Sequence, residues 1–178
     1  MAQTIHQKET ALKSKLTSSG LQCPRYAVVV PIIWENNEPQ LLLEVRAAGI
    51  SQAGDPCFPG GRIELGEAPM AAARRELREE LGISVAPEDF LGQLPTVETP
   101  LGRQTDVFVC SVSPEAAATA VRNPSEVAVL LRPSLRMFQM HPRAGSYCVE
   151  GHTVWGMTAG AIHHLLDAWA QAFDENEA

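Results

Sequence analysis

The stretch GRIELGEAPMAAARRELREELGI, running from Gly61 to Ile83, carries helix signals at both ends. Pro69 suits a first helical turn and Gly82 suits a helix end, so the spacing predicts a helix over Pro69–Leu81. At about 100° per residue, with Glu76 at zero, Glu80 falls at about 40° and Glu79 at about 300°, so three carboxylates share one face. Met70, Ala73, Leu77 and Leu81 fall between about 60° and 140°, an apolar stripe directly beside the acids. Glu76 and Glu80 are an i,i+4 pair of like charge, which costs an isolated helix a few tenths of a kcal/mol. A hard divalent cation, Mg²⁺ or Mn²⁺, reverses the sign of that cost, because carboxylate oxygens are its preferred ligands. Taken alone, three glutamates at this spacing more often make only a solvated helix face. The residues upstream shift the balance. Gly60-Gly61 is expected to permit a tight bend that turns carbonyls toward a metal site. Glu67 stands just ahead of the helix, and Arg75, beside Glu76, is suited to hold the carboxylates through charge-assisted hydrogen bonds.

Outward from this segment the chain reads as strands. Tyr26 to Trp34 is a β-branched, nearly continuous apolar run, as expected of a buried strand, and Gln40 to Arg46 reads as a second strand after the turn residues Glu35 to Pro39. Downstream, Phe90 to Glu98, Asp106 to Val112 and Val127 to Leu131 read as strands, with Tyr147 to Trp155 as a last one. Ser113-Pro114-Glu115 reads as the start of a short helix, and Thr158 to Phe173 as a C-terminal helix with Ile162, Leu165, Leu166, Trp169 and Phe173 at helical spacing. These elements predict an α+β domain over residues 25–178, preceded by a lead segment, residues 1–24, expected to be an appendage.

Composition bounds the function. The chain has 178 residues, enough for one domain, and 45% of them are apolar, enough for a core. Its formal charge is −7, without a basic run, which disfavours nucleic acid and anionic membranes as partners and leaves a small anionic substrate whose binding needs a cation. No apolar run is long enough to span a bilayer, and the amino terminus has no secretory pattern. Cys23, Cys57, Cys110 and Cys148 are scattered, as expected of free thiols in a reducing, cytoplasmic setting.

Gly61, Glu67, Arg75-Glu76-Leu77, Glu79-Glu80 and Gly82-Ile83 are similar in every specified position to the Nudix box. With average residue frequencies such a match arises by chance roughly once per billion starting points. The resemblance implies a Nudix-type α/β/α sandwich with a mixed sheet and a catalytic loop-helix-loop. It also implies hydrolysis of a diphosphate bond in a nucleotide derivative. Carried over position by position, Glu76 and Glu80 become the principal ligands of Mg²⁺ or Mn²⁺, with Glu79 completing the cluster and the Gly60 carbonyl as a further ligand. Gly61, Glu67 and Arg75 become the residues that hold the loop and helix in place. A homodimer is compatible with the resemblance. Independently of any family, a diphosphate repels hydroxide until cations neutralise its oxygens and set an in-line geometry.

A narrower resemblance lies outside the box. Leu42 to Ala47, Gly54 and Phe58-Pro59-Gly60-Gly61, together with Val154-Trp155-Gly156-Met157-Thr158-Ala159, resemble segments of coenzyme A diphosphatases. The pattern has Thr where Glu44 stands, and a second arginine that is missing from a loop one residue short. That resemblance implies coenzyme A or an acyl-coenzyme A as substrate, cleaved to 3′,5′-ADP and 4′-phosphopantetheine. ADP-ribose, a dinucleotide or a nucleoside triphosphate is the alternative substrate, and an inactive nucleotide-binding regulatory module is the alternative of another class. Arg46 and Arg62 are the candidate phosphate contacts, and Glu126 and Glu98 the candidate general bases outside the helix. His163-His164 reads as solvated, the three tryptophans as core, and Cys57 as a buried apolar thiol.

Overall fold

Tyr26–Glu35 (β1) is apolar from Ala27 to Trp34 because both of its faces are covered. Ala27, Val29 and Ile33 point to one side, where they meet Ala72, Ala73, Leu77 and Leu81 of helix α2, Pro69–Leu81. Val28, Val30, Ile32 and Trp34 point to the other, where they meet Ile162, Leu165 and Leu166 of the C-terminal helix α5, Gly156–Phe173. The computed structural model, which describes residues 3–16, 26–98, 103–139 and 145–173, is therefore a sheet between helical layers.

The remaining elements are α1 (Ile5–Lys15), β2 (Glu38–Leu41), β3 (Leu43–Arg46), β4 (Pro56–Cys57), β5 (Gly60–Arg62), β6 (Phe90–Glu98), β7 (Gln104–Val112), α3 (Pro114–Ala118), β8 (Val127–Leu131), α4 (Leu135–Gln139), β9 (Ser146–Val149) and β10 (His152–Trp155). The main sheet has the order β2-β1-β7-β6, with β5 also on β1; β1 and β7 are parallel and the other pairs antiparallel. A smaller sheet has the order β4-β3-β8, and β9 and β10 form a hairpin. This is the expected α+β sandwich with a mixed sheet. Pro31 is tolerated inside β1 because it falls between the stretch paired with β5 and the stretch paired with β2, where its missing N–H is not needed.

Four local expectations differ from the structure. Gln40 to Arg46 is not one strand: at Leu42, whose N–H donates to the Pro31 carbonyl at 3.1 Å, the chain leaves the main sheet and enters the smaller one. Tyr147 to Trp155 is a hairpin, turned at Glu150 and Gly151, both at positive φ as a tight two-residue turn requires. The lead segment is no appendage over the residues described. Thr4 caps α1 in a reciprocal pair with Gln7, and Leu12 is fully buried in the same core as α5. Gly60 and Gly61 do not make a bend; they lie in β5, opposite Val28 and Ala27. Positive φ belongs instead to Gly66, ahead of α2, and to Gly82, whose left-handed conformation ends the helix. Among the described residues no helix is long and apolar enough to cross a membrane.

Candidate active site

The exposures along α2 follow the angles read from the sequence. Glu80, nearest the apolar stripe, is buried; the Glu76 side chain is 14% exposed and that of Glu79 51%. Arg75 organises the acids around one guanidinium. Its Nε donates to Glu67 Oε1 at 3.0 Å and its Nη2 to Glu67 Oε2 at 3.1 Å, a two-pronged pairing that fixes the plane of the guanidinium. Its Nη1 donates to Glu76 Oε1 at 2.8 Å and to Glu79 Oε2 at 3.2 Å. Nη2 also donates to the Arg62 carbonyl at 3.1 Å, tying the helix to the end of β5. The Arg75 pairing and the Glu64 N–H hold the Glu67 carboxyl below its usual range.

β5 meets this helix through the glycines. A Cβ on Gly60 would lie 2.5 Å from the Ala27 carbonyl oxygen and 2.6 Å from Val28 Cα, so only glycine lets β5 lie against β1. A Cβ on Gly61 would lie 2.3 Å from Glu76 Oε1, so only glycine leaves room for that carboxylate. The Gly60 N–H donates to Glu80 Oε2 at 2.9 Å. In an extended strand a residue's N–H and C=O leave on the same edge, so the Gly60 carbonyl shares the side of Glu80.

A further buried acid joins the cluster from β3. Glu44 is 2% exposed, its Oε1 accepts from the Cys57 thiol at 3.4 Å, and its Oε2 is buried with no hydrogen-bond partner. Cys57 is thus not an apolar thiol; Arg46 Nη1 also approaches its sulfur, at 3.9 Å. Glu126 enters by a different route. Asn123 N–H donates to the Glu80 carbonyl at 2.7 Å and anchors the loop to the end of α2, while its side chain donates to Glu126 Oε1 at 3.2 Å. Burial, then the Glu44 charge, with Glu76 and Glu126 behind, pushes the Glu80 carboxyl far above the usual range against the pull of Gly60 N–H. Burial likewise raises Glu44, opposed by Cys57 and Arg46 and reinforced by Glu126 and Glu76. Glu76 is raised by burial despite Arg75.

The structure therefore brings Glu44, Glu76, Glu80 and Glu126 into one electrostatic unit beside the Arg75 clamp. Glu98 lies apart from these contacts, at the end of β6 opposite Gln104 on the far edge of the main sheet. The Arg62 side chain is exposed. Arg46 closes the loop that follows it: its Nε donates to the Ser51 carbonyl at 2.6 Å, and among the described residues its Nη2 makes no hydrogen bond. Trp34 and Trp169 pack against each other at the core with their rings tilted by 33°, but Trp155 is 47% exposed and its Nε1 donates to Asp55 Oδ2 at 3.1 Å. Glu44 escaped the sequence reading as a site residue. The signal was present, a glutamate alternating with Leu43 and Val45 in an apolar strand.

The donor set suits a hard divalent cation. Desolvated carboxylates raised by one another's charge, one of them with an orphaned oxygen, are the groups that such an ion stabilises. Among the described residues no three acidic, imidazole or thiol groups converge ready-made on one point; the carboxylates rest on Arg75 and the Gly60 N–H.

The model of the NUDIX domain matches residues 24–142, well over half of the chain. A protein described as the uncharacterized Nudix hydrolase NudL, from Cronobacter sakazakii, is 35% identical over 170 residues that cover 86% of this chain and 87% of that protein. Among solved structures, the MutT protein from Methanosarcina mazei superposes with a TM-score of 0.55 at 23% identity, covering 89% of this chain and all of that one. A MutT/nudix family protein from Enterococcus faecalis gives 0.57 at 13% identity, covering 98% of this chain and 75% of that one, a likeness of fold alone.

Proposed function

The chain belongs to the Nudix hydrolase family, and from that premise we propose that it hydrolyses the diphosphate bond of coenzyme A or an acyl-coenzyme A, yielding 3′,5′-ADP and 4′-phosphopantetheine. Water adds across the P–O–P bridge, its oxygen to one phosphorus and the bridging oxygen leaving with the other. Glu76, Glu79, Glu80 and the Gly60 carbonyl would hold Mg²⁺ or Mn²⁺, a reading that rests on the Arg75 clamp and on the buried carboxylates. When bound, such an ion neutralises the diphosphate oxygens and makes water a better nucleophile at neutral pH.

The protein's own groups do the positioning. Arg75 keeps Glu76 and Glu79 on one side of the helix, is itself oriented by Glu67, and is tied to β5 through the Arg62 carbonyl. The Gly60 N–H holds one oxygen of Glu80. Glu126, exposed, anchored to α2 through Asn123 and acting on the charges of Glu44, Glu76 and Glu80, is better placed to accept a proton from the attacking water than Glu98, which makes none of the cluster's contacts. Arg46 offers Nη2 to a phosphate, and Arg62 lies exposed beside the clamp.

One observation carries the coenzyme A reading. The two segments that resemble coenzyme A diphosphatases are about a hundred residues apart, yet the Trp155–Asp55 hydrogen bond joins them next to Arg46. The Arg46 N–H donates to the Asp55 carbonyl at 3.1 Å, so Asp55 ties the tryptophan to the strand that carries the arginine.

The test is a panel of coenzyme A, dephospho-coenzyme A, ADP-ribose, a diadenosine polyphosphate and a deoxynucleoside triphosphate, each with Mg²⁺, Mn²⁺ or EDTA. Coenzyme A should give the highest kcat/KM, with 3′,5′-ADP released and EDTA abolishing turnover. Faster turnover of ADP-ribose overturns the substrate, and no turnover of any of them points to a binding module.

A further inference from the structure

Glu44 has no place in the box, yet it is the most deeply buried acid of the cluster. Its direction follows from strand alternation. Leu41, Leu43 and Val45 lie in the core shared with α1 and α5, whereas Leu42 lies in the core shared with α2, so Glu44 faces the α2 side. Its cross-strand partner on β8, Leu130, packs against that same core. One short stretch of chain then ties Glu44 to Glu80. The Cys57 thiol donates to Glu44 and the Gly60 N–H to Glu80, and a chain of this length spans about 10 Å at most.

This leaves a carboxylate oxygen, Glu44 Oε2, buried without a partner on the side of the helix where Glu80 is buried. Buried polar atoms in folded proteins are nearly always satisfied, by protein, water or an ion. The charges that act on Glu44 from neighbouring elements are Arg46 on its own strand, Glu126 from the loop and Glu76 from the helix, so acids outnumber the single cation. Such an orphan has three remedies: a buried water, a proton on the Glu44 carboxyl, or a cation beside it.

We propose that Glu44 is an additional ligand for the divalent cation, reaching it from β3. The inference rests on the metal-dependent reading of α2 and extends it. A ligand on β3 joins the smaller sheet to α2 through the ion, and it gives this chain a carboxylate where the resembling family pattern has Thr.

The experiment is a titration of the purified full-length protein with Mn²⁺ alone, free Mn²⁺ being read by electron paramagnetic resonance, for wild type, Glu44→Gln, Glu44→Thr and Glu80→Gln. A thermal melt in EDTA accompanies each, so that loss of fold is recognised and the remaining Glu44 variant is used. If Glu44 is a ligand, its variants stay folded without metal and bind Mn²⁺ at least tenfold more weakly, or with one ion fewer. If both Glu44 variants bind Mn²⁺ as wild type does while Glu80→Gln does not, Glu44 is satisfied by a proton or a buried water instead. The inference then fails and the box reading stands. If Glu80→Gln also binds as wild type does, the metal reading of α2 fails with it.

Discussion

Two adjacent glycines in β5 have different neighbours, and the difference predicts different defects. A methyl group on Gly61 meets the Glu76 carboxylate, the far end of a flexible side chain that can swing away. Gly61→Ala should therefore leave the melting temperature within a few degrees of wild type while kcat falls at least tenfold, because Glu76 is displaced from its place on Arg75. A methyl group on Gly60 meets the backbone of β1, which cannot move without disturbing the central strand. Gly60→Ala should cost about 1–3 kcal/mol of overpacking, at roughly 2–4 °C of Tm per kcal/mol. Melting curves and kcat measured on both variants check the contrast; equal Tm losses would mean that Glu76 is rigidly held. The pair Gly-Gly was legible in the sequence as important, but for the wrong reason: glycine serves close approach here, and turning falls to Gly66.

Among the elements, α2 was legible to its ends because its signals are local: Pro69 in the first turn, Gly82 at the stop, and a helical period between. β6 and β8 were legible for similar reasons, in pattern and bounding residues. The break between β2 and β3 was not, because Leu41, Leu42 and Leu43 look alike in sequence and only their separate cores distinguish them. Helix α1 was underestimated because its single fully buried residue, Leu12, makes too weak an apolar stripe to signal docking. That residue now yields a prediction. Leu12→Ala removes a side chain wholly enclosed by the core under α5 and should cost about 2–5 kcal/mol. Because α1 and α2 lie on opposite faces of the main sheet, kcat at 25 °C should stay within twofold of wild type. A thermal melt and an activity assay on the same sample decide this, and a large fall in kcat would show that the two layers are coupled.

At the scale of the molecule, the acids gather where α2, the smaller sheet and the loop before β8 meet, and this junction should respond to pH and cations. The Glu80 carboxyl stands at about 9 in the fold, raised from 4.5 by burial, by Glu44, and by Glu76 and Glu126, against the Gly60 N–H. Across that interval the folded protein holds more protons than the unfolded chain, so this group's contribution is full below about 4.5 and is lost as pH rises toward about 9. Glu67, held below its usual range, acts in the opposite sense at acid pH. In EDTA the melting temperature should therefore fall between pH 6 and pH 9. A saturating divalent cation should flatten that fall, adding about 2.7 kcal/mol at a hundred times its Kd. Tm against pH with Mg²⁺ and with EDTA is the measurement, and parallel curves would refute a cation at this junction. The residues of the box, the bounds of α2 and the α+β class were determined by the sequence alone, since caps, helical period and motif spacing all act within a few residues. The tertiary structure decided which distant groups face them. It brought the charge of Glu44 to bear on Glu80 and set Cys57 against Glu44, brought Glu126 rather than Glu98 into the cluster's electrostatics, and set Trp155 against Asp55. Strand order and loop docking bring residues tens of positions apart into contact through burial and charge, and no local pattern encodes which strand becomes the neighbour.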